Sequence, residues 1–252
     1  MTIERTNFDA IIERDLEDLI QASVPEGLVI EYKRDAYGGS DSDKREALKD
    51  ISSFANSAGG HLIIGMDEAD GLPKALTGLP GADVDSLINR LESLVRDGIE
   101  PRIIGIRMRR INLARGGSAI VIRIPRSWNP PHRVSAGKHN RFYVRNSGGV
   151  HEVSVEELRV LFNMAADVQD RARAFRSERL ARMESNRGAM PLPAGDKLTL
   201  HIIPFSAFGS MATVDLEAAH AAHMKFRPLD SMGMTPRFNL YGFVNIRGAH
   251  HA

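Results

Sequence analysis

The chain has 252 residues, of which 42% are apolar and 26% charged, and it contains no cysteine. That is enough for one large folded domain or two small ones, and it excludes a disulfide framework or a thiolate metal centre. No apolar run is long enough to cross a bilayer and no basic-then-apolar leader is present, so a cytoplasmic protein with no membrane partner is expected.

The formal net charge of +1 hides an asymmetry. Residues 1–95 hold 9 basic and 19 acidic residues, whereas residues 96–149 hold 12 basic residues against only Asp97 and Glu100, a balance of −10 against +10. A local excess of that size is the electrostatic footprint of a surface that binds a polyanion, and nucleic acid is the expected partner.

In chain order, Asp9 to Ala22 repeats apolar residues at helical spacing (Ile11, Ile12, Leu16, Leu19, Ile20) and predicts an amphipathic helix that closes before Pro25. Leu28 to Lys33 alternates as a strand, with Leu28, Ile30 and Tyr32 on one face and Val29, Glu31 and Lys33 on the other. Asp43 to Ser57 predicts a second helix with Ala47, Ile51, Phe54 and Ala55 inward. Gly59-Gly60 ends it with residues that tolerate positive φ, and Asn56 is a candidate cap. His61 to Met66 reads as a short buried strand and Asp83 to Asp97 as a third helix. Ile103 to Ile111 and Ser118 to Pro125 predict a hairpin, and Arg141 to Arg145 one more strand. From Val155 a helix is expected to run to about Asn186, carrying the Arg171, Arg173, Arg176, Arg179, Arg182 series. Gly188 to Gly195 reads as a linker. Lys197 to Phe205 restarts a strand pattern that opens a small C-terminal unit.

The chemistry concentrates on Glu26, Glu31 and Lys33, and on Asp67 and Glu68 at the exit of the next strand. Mg²⁺ and Mn²⁺ prefer hard oxygen ligands, and two or three converging carboxylates hold an ion that activates water and neutralises charge on a phosphate. Glu26 and Glu31 are an odd number apart and would point to opposite faces of one regular strand. Pro25 and Gly27 resolve this by setting Glu26 on a turn before the strand. Lys33 shares the face of Glu31 and is placed to hold a phosphate or steady a water. The competing reading is that Glu31 and Lys33 are a solvated strand face.

Arg107, Arg109 and Arg110 on the hairpin, with Arg133, Lys138, His139, Arg141 and Arg145 downstream, form a candidate phosphate track. Trp128 and Tyr143 are candidate base-stacking residues, although a lone Trp beside Pro130-Pro131 is more often a packing anchor. His132 is a candidate proton donor, with an ordinary loop histidine as the stronger reading. His220 and His223 lie one helical turn apart with no third ligand in evidence. No Gly-x4-Gly-Lys-Ser/Thr loop is present, so an ATPase is not expected.

Taken together, Glu-x4-Glu-Tyr-Lys, Ser53-Phe-Ala-Asn-Ser-Ala-Gly-Gly, His61-Leu-Ile-Ile-Gly-Met-Asp-Glu, Ile99-Glu-Pro101, Ala119-Ile-Val-Ile-Arg-Ile-Pro125, Phe142-Tyr-Val-Arg145 and Val155-Glu-Glu-Leu158 resemble, in order and spacing, the Schlafen AlbA-type domain over residues 20–162. The resemblance implies an α/β (α+β) domain with a mixed, mostly antiparallel sheet flanked by helices. With the basic helix, linker and strand pattern read above, the chain divides into that domain with its N-terminal helix (1–165), a basic helix and linker (166–195) and a C-terminal α/β extension (196–252), the last 90 residues lying outside the resemblance. The resemblance also implies nucleic-acid binding. In the endoribonuclease branch three carboxylates cut transfer or ribosomal RNA with Mg²⁺ or Mn²⁺. Carried over, these fall on Glu26, Glu31 and Glu68, the last where the family usually has Asp, with Asp67 beside it and Lys33 assisting. Two classes therefore stand: a metal-dependent endoribonuclease favouring RNA over DNA, as a toxin or defence effector, or a non-catalytic DNA- or RNA-binding module in regulation or sensing. Family cores in animals use two such lobes around a groove and only one is readable here, which makes a homodimer a further expectation.

Overall fold

The computed structural model describes residues 3, 7–136, 139–187, 200, 202–204, 207, 216–225, 235–239 and 242–246. The chain divides into two compact units, Met1–Asp167 and Val168–Ala252.

The first unit opens with a short 3-10 turn, Phe8–Ala10, and α1 (Glu13–Gln21). These replace the single expected helix because Phe8 and Ile11 are both drawn into the core. The chain extends through Ile11 and Ile12 before the Asp15 carboxylate, accepting from the Ile12 N–H at 2.8 Å, starts α1. β1 (Ile30–Lys33), α2 (Asp41–Ala55), β2 (Gly60–Ile64), β3 (Met66–Ala69) and β4 (Leu72–Leu76) follow. Then come α3 (Val84–Gly98), β5 (Ile99–Glu100), β6 (Arg107–Asn112), β7 (Ser118–Ile124), β8 (Arg133–Val134), β9 (Arg141–Asn146) and β10 (Gly149–Glu152). α4 (Val155–Glu184) begins in this unit and continues into the second.

One sheet runs in the order β1-β2-β7-β6, with β1 parallel to β2 and the other pairs antiparallel. A second, wholly antiparallel sheet runs β10-β9-β8-β5. β3 and β4 form a separate antiparallel ribbon. The fold is α/β with mixed, mostly antiparallel sheets, as expected from sequence.

Both faces of the first sheet are covered, which is why β2 and β7 run apolar through Leu62–Ile64 and Ala119–Ile122 rather than alternating. On one face Ala47, Leu48, Ile51 and Phe54 of α2 and Leu91 and Val95 of α3 pack on Leu62, Ile64, Ile120, Ile122 and Ile124. On the other, Phe8, Ile11, Leu16 and Leu19 pack on Ile30, Tyr32, Ile63, Ala119 and Val121. Leu28, expected to share the buried face of Ile30, precedes the strand and is exposed. Gly60, at φ 154°, leaves no room for a side chain: a Cβ there would lie 2.3 Å from the Val29 carbonyl and 2.8 Å from the Phe54 ring.

In the second unit α5 (Leu216–Ala221), a 3-10 turn at His223–Lys225 and the antiparallel pair β11 (Thr235–Asn239) and β12 (Gly242–Ile246) are defined. The expected linker 188–195, most of the expected strand 197–205, and His250-His251 lie outside the described residues.

Candidate functional site

The site is built from β1 outward. β1 is an edge strand, and the outward N–H of Tyr32 would have no ladder partner; the Glu26 carboxylate accepts from it at 2.6 Å. Gly27 N–H donates to the Ile30 carbonyl at 3.0 Å and Glu26 N–H to Gly71 at 2.7 Å, which holds Glu26 on the turn that Pro25 and Gly27 predicted. Glu26 thus seals a sheet edge. Burial pushes its pKa above the usual carboxylate range, the Tyr32 hydrogen bond opposes this, and the charges of Glu31 and Glu68 add to the rise.

Glu31 and Lys33 turn to the α2 side. Lys33 Nζ lies 3.0 Å from Glu31, 3.5 Å from Glu46 and 3.5 Å from Asp50. The other Glu31 oxygen pairs with the Arg145 guanidinium, whose side chain is wholly buried and stacked 3.7 Å above the Phe54 ring centroid. Asp50, 2% exposed, also accepts from the Tyr37 hydroxyl at 2.7 Å. Burial is the largest influence on Glu31 and raises its pKa, but Lys33 and Arg145 more than reverse it and leave it below the ordinary value. Burial disfavours the Lys33 charge, yet Asp50, Glu31 and Glu46 outweigh that and hold the ammonium protonated well above its usual range. Asp50 is raised chiefly by burial, with Lys33 and the Tyr37 hydrogen bond opposing.

Of the four expected carboxylates, Glu31 is therefore engaged by two cations and Glu26 by a strand edge. Glu68 is exposed and accepts from the Gly71 N–H at 2.8 Å, and Asp67 lies 3.9 Å from Arg34. Glu26 and Glu68 both bond to Gly71 of the β3–β4 turn, and Glu31, which belongs to the cluster beneath α2, also lies within electrostatic reach of Glu26. Among the described residues no three His, Asp or Glu side chains stand together as a metal site. Glu26 and Glu31 are held by the Tyr32 N–H, Lys33 and Arg145, so Mg²⁺ or Mn²⁺ could use them only by displacing these partners.

Sequence reading missed Tyr37, Glu46 and Asp50. Asp50 had a signal: it falls on the inward stripe of α2 with Ala47, Ile51 and Phe54, and a charge in an apolar stripe needs a buried partner.

The basic residues are distributed differently from a bare track. Arg107 pairs with Asp9 at 2.7 Å, Arg110 with Asp85 at 3.3 Å, Arg133 with Glu100 at 2.6 Å, and Arg141 with Glu152. Arg109 donates to the backbone carbonyls of Phe8 and Asp9. Apart from Arg109, these are ion pairs between half-exposed or more exposed groups, each weak and exchangeable. Arg145, buried, is removed from the track. Lys138 lies outside the described residues. His139 stacks on Tyr143 and bonds its hydroxyl at 2.7 Å, so that ring is partly covered. Trp128 is half-buried.

Two other readings change. Asn56 ends α2, but its side chain bridges to the second sheet: its amide donates to the His132 and Tyr143 carbonyls, both at 2.9 Å, and its oxygen accepts from His132 N–H at 2.7 Å. His132 is 1% exposed with Nδ1 on the Pro101 carbonyl at 2.6 Å, a core histidine and not a surface proton donor. His220 and His223 have ring centroids 5.9 Å apart, and no third ligand joins them among the described residues.

Residues 26–154 match the family model described as Schlafen, AlbA_2, half of the chain, and the protein belongs to that family. No curated protein matches it. Among solved structures, it is similar to the DIP2311 protein of Corynebacterium diphtheriae, with 17% identity and a TM-score of 0.35 over 56% of this chain, which spans only 27% of that one. It is also similar to the N-terminal domain of a Nitrosomonas europaea protein described as related to the ATP-dependent DNA helicase RecG. That likeness has 23% identity and a TM-score of 0.38, covering 52% of this chain and 88% of that domain. No helix among the described residues is long and apolar enough to cross a membrane.

Proposed function

We propose that the first unit is a nucleic-acid-binding module that holds phosphates with the exchangeable arginines of β6, β8 and β9 and does not cut the strand. Family membership and the +10 balance of residues 96–149 support nucleic acid as the ligand. The observation that carries the non-catalytic reading is the double engagement of Glu31: one oxygen pairs with Lys33 and the other with the buried Arg145, so an ion shared with Glu26 and Glu68 would have to compete with two resident cations. Paired arginines are compatible with binding because a phosphate replaces a half-exposed carboxylate at little net cost.

The endoribonuclease reading makes the opposite claim, and one experiment separates the two. Labelled transfer RNA and single-stranded DNA are incubated with the purified protein in Mn²⁺, Mg²⁺ or EDTA, beside Glu31→Ala, and binding is followed by filter retention across a salt series. The expected result is salt-sensitive retention that EDTA leaves unchanged, with no cleavage. Metal-dependent cutting that disappears in a folded Glu31→Ala protein would establish the nuclease instead. The two substrates also decide the RNA preference.

A further inference from the structure

The loop of residues 101–106, between β5 and β6, holds an apolar knob beside an apolar hole. Gly105, at φ 88°, turns the chain at the tip of this loop, and the residue presented there is Ile104, 70% exposed. A turn tip ordinarily takes a polar residue, so an isoleucine there leaves apolar surface in water with no gain to the fold. On either side of it Ile103 and Gly105 line a pocket of about 210 Å³. The floor of the pocket is Val95 of α3 with Ile103, Ile106 and Met108, all packed on the core, so the hole is preformed. Its rim carries both signs of charge. Arg96 turns to its neighbour Asp97 at 3.1 Å, whereas Glu92 and Arg102, both exposed, have no ion-pair partner among the described residues.

We propose that a second copy of the chain docks on this face about a two-fold axis, with Ile104 of each copy in the pocket of the other and Glu92 of each facing Arg102 of the other. In a two-fold interface every contact occurs twice with the roles exchanged, so one patch must hold a knob with its hole and a charge with its opposite. Both pairs are present on one loop and the helix beside it. A knob adjoining its hole also lies close to the axis, which lets the contact close on two copies instead of running on as a chain. A partner of one charge sign would leave either Glu92 or Arg102 facing a like charge. Edge-to-edge pairing of β6, the outer strand of the first sheet, is disfavoured because it would bring Arg107, Arg109 and Arg110 of two copies together. One side chain in one small pocket, made twice, falls short of the roughly 800 Å² per partner of a standard interface, so a dissociation constant on the order of 10 to 100 μM is expected.

The test is sedimentation velocity of the full chain, freed of nucleic acid, from about 5 to about 500 μM. Wild type is compared with Ile104→Ser, Glu92→Arg and Arg102→Glu, each checked for its fold by circular dichroism. Wild type is expected to pass from monomer to dimer across that range, and Ile104→Ser to weaken the association at least about tenfold, since two buried side chains are lost. Glu92→Arg and Arg102→Glu each weaken it alone, because like charges then meet twice. Mixed in equal amounts, these two variants are expected to associate again, since every rim charge of one then faces an opposite charge of the other. Recovery on mixing comes only from contact between molecules. A wild type still monomeric at the highest concentration would overturn the proposal and leave the pocket to an apolar side chain of some other protein. A dimer that Ile104→Ser leaves unchanged, or single reversals that do not recover on mixing, would overturn it as well. With nucleic acid absent throughout, failure here leaves the binding reading standing.

Discussion

Asn56 makes three hydrogen bonds to backbone groups, two at His132 just before β8 and one at Tyr143 of β9, all inside the protein. Truncation to Ala leaves two carbonyls and one N–H buried and unpaired, so Asn56→Ala is expected to cost about 2–4 kcal/mol in urea unfolding. A loss below about 1 kcal/mol would show that water replaces the amide. His61 supplies a pH test. Burial first, and the Arg123 charge second, lower its pKa from the ordinary 6.5 to about 4, and Arg123 donates to its Nε2 at 2.8 Å. The fold therefore refuses a proton that the unfolded chain accepts. Stability present above pH 6.5 is lost as pH falls toward 4, by on the order of 3 kcal/mol in total. His61→Gln keeps an acceptor but no titration, so unfolding midpoints of the two proteins should diverge through that window and run parallel above it.

At the scale of elements, the edge of β1 is where the two functional readings make opposite predictions for one substitution. Glu26→Gln keeps an oxygen for the Tyr32 N–H and removes a charge that burial, Glu31 and Glu68 all disfavour, so it is expected to be neutral or slightly stabilising, with nucleic-acid binding intact. Glu26→Ala strips the edge and should cost about 1–2 kcal/mol by thermal or urea unfolding. Were Glu26 a metal ligand, the Gln variant would be the damaging one for cleavage. The helices and longer strands were legible in sequence because each has a sustained period: α2, α3 and the β6–β7 hairpin lie within a few residues of their expected bounds. The β3–β4 ribbon was missed although Asp70-Gly71, both at positive φ, is the residue pair such a turn requires. β5 and β8 have two residues each, too short for any period. The carboxylates of the site were legible as residues but not as a constellation. Which of them share a pocket depends on α2 lying over β1 and β9, and no spacing along β1 contains that.

Across the whole molecule, charge is what ties fold to ligand, and the pairing of the arginines makes it testable in a direction that simple neutralisation is not. An Arg→Gln change at a phosphate-binding position should reduce the slope of log affinity against log salt by roughly 0.7 to 0.9. Replacing an arginine that merely supports the fold weakens binding too, if it disturbs the surface, so weaker binding alone is ambiguous. Removing the acidic partner is not. Asp9→Asn and Glu152→Gln leave Arg107 and Arg141 in place, delete the carboxylates that compete with phosphate, and raise the local potential. If β6 and β9 form the phosphate track, both variants bind single-stranded nucleic acid more tightly than wild type at low salt, by roughly two- to tenfold, and with a steeper salt slope. Asp97→Asn, which removes a carboxylate paired with Arg96 and with neither Arg107 nor Arg141, serves as the control for net charge. Equal gains in all three would mean that affinity follows total charge and not this surface. A gain confined to Asp9 and Glu152 would place the nucleic acid along β6 and β9.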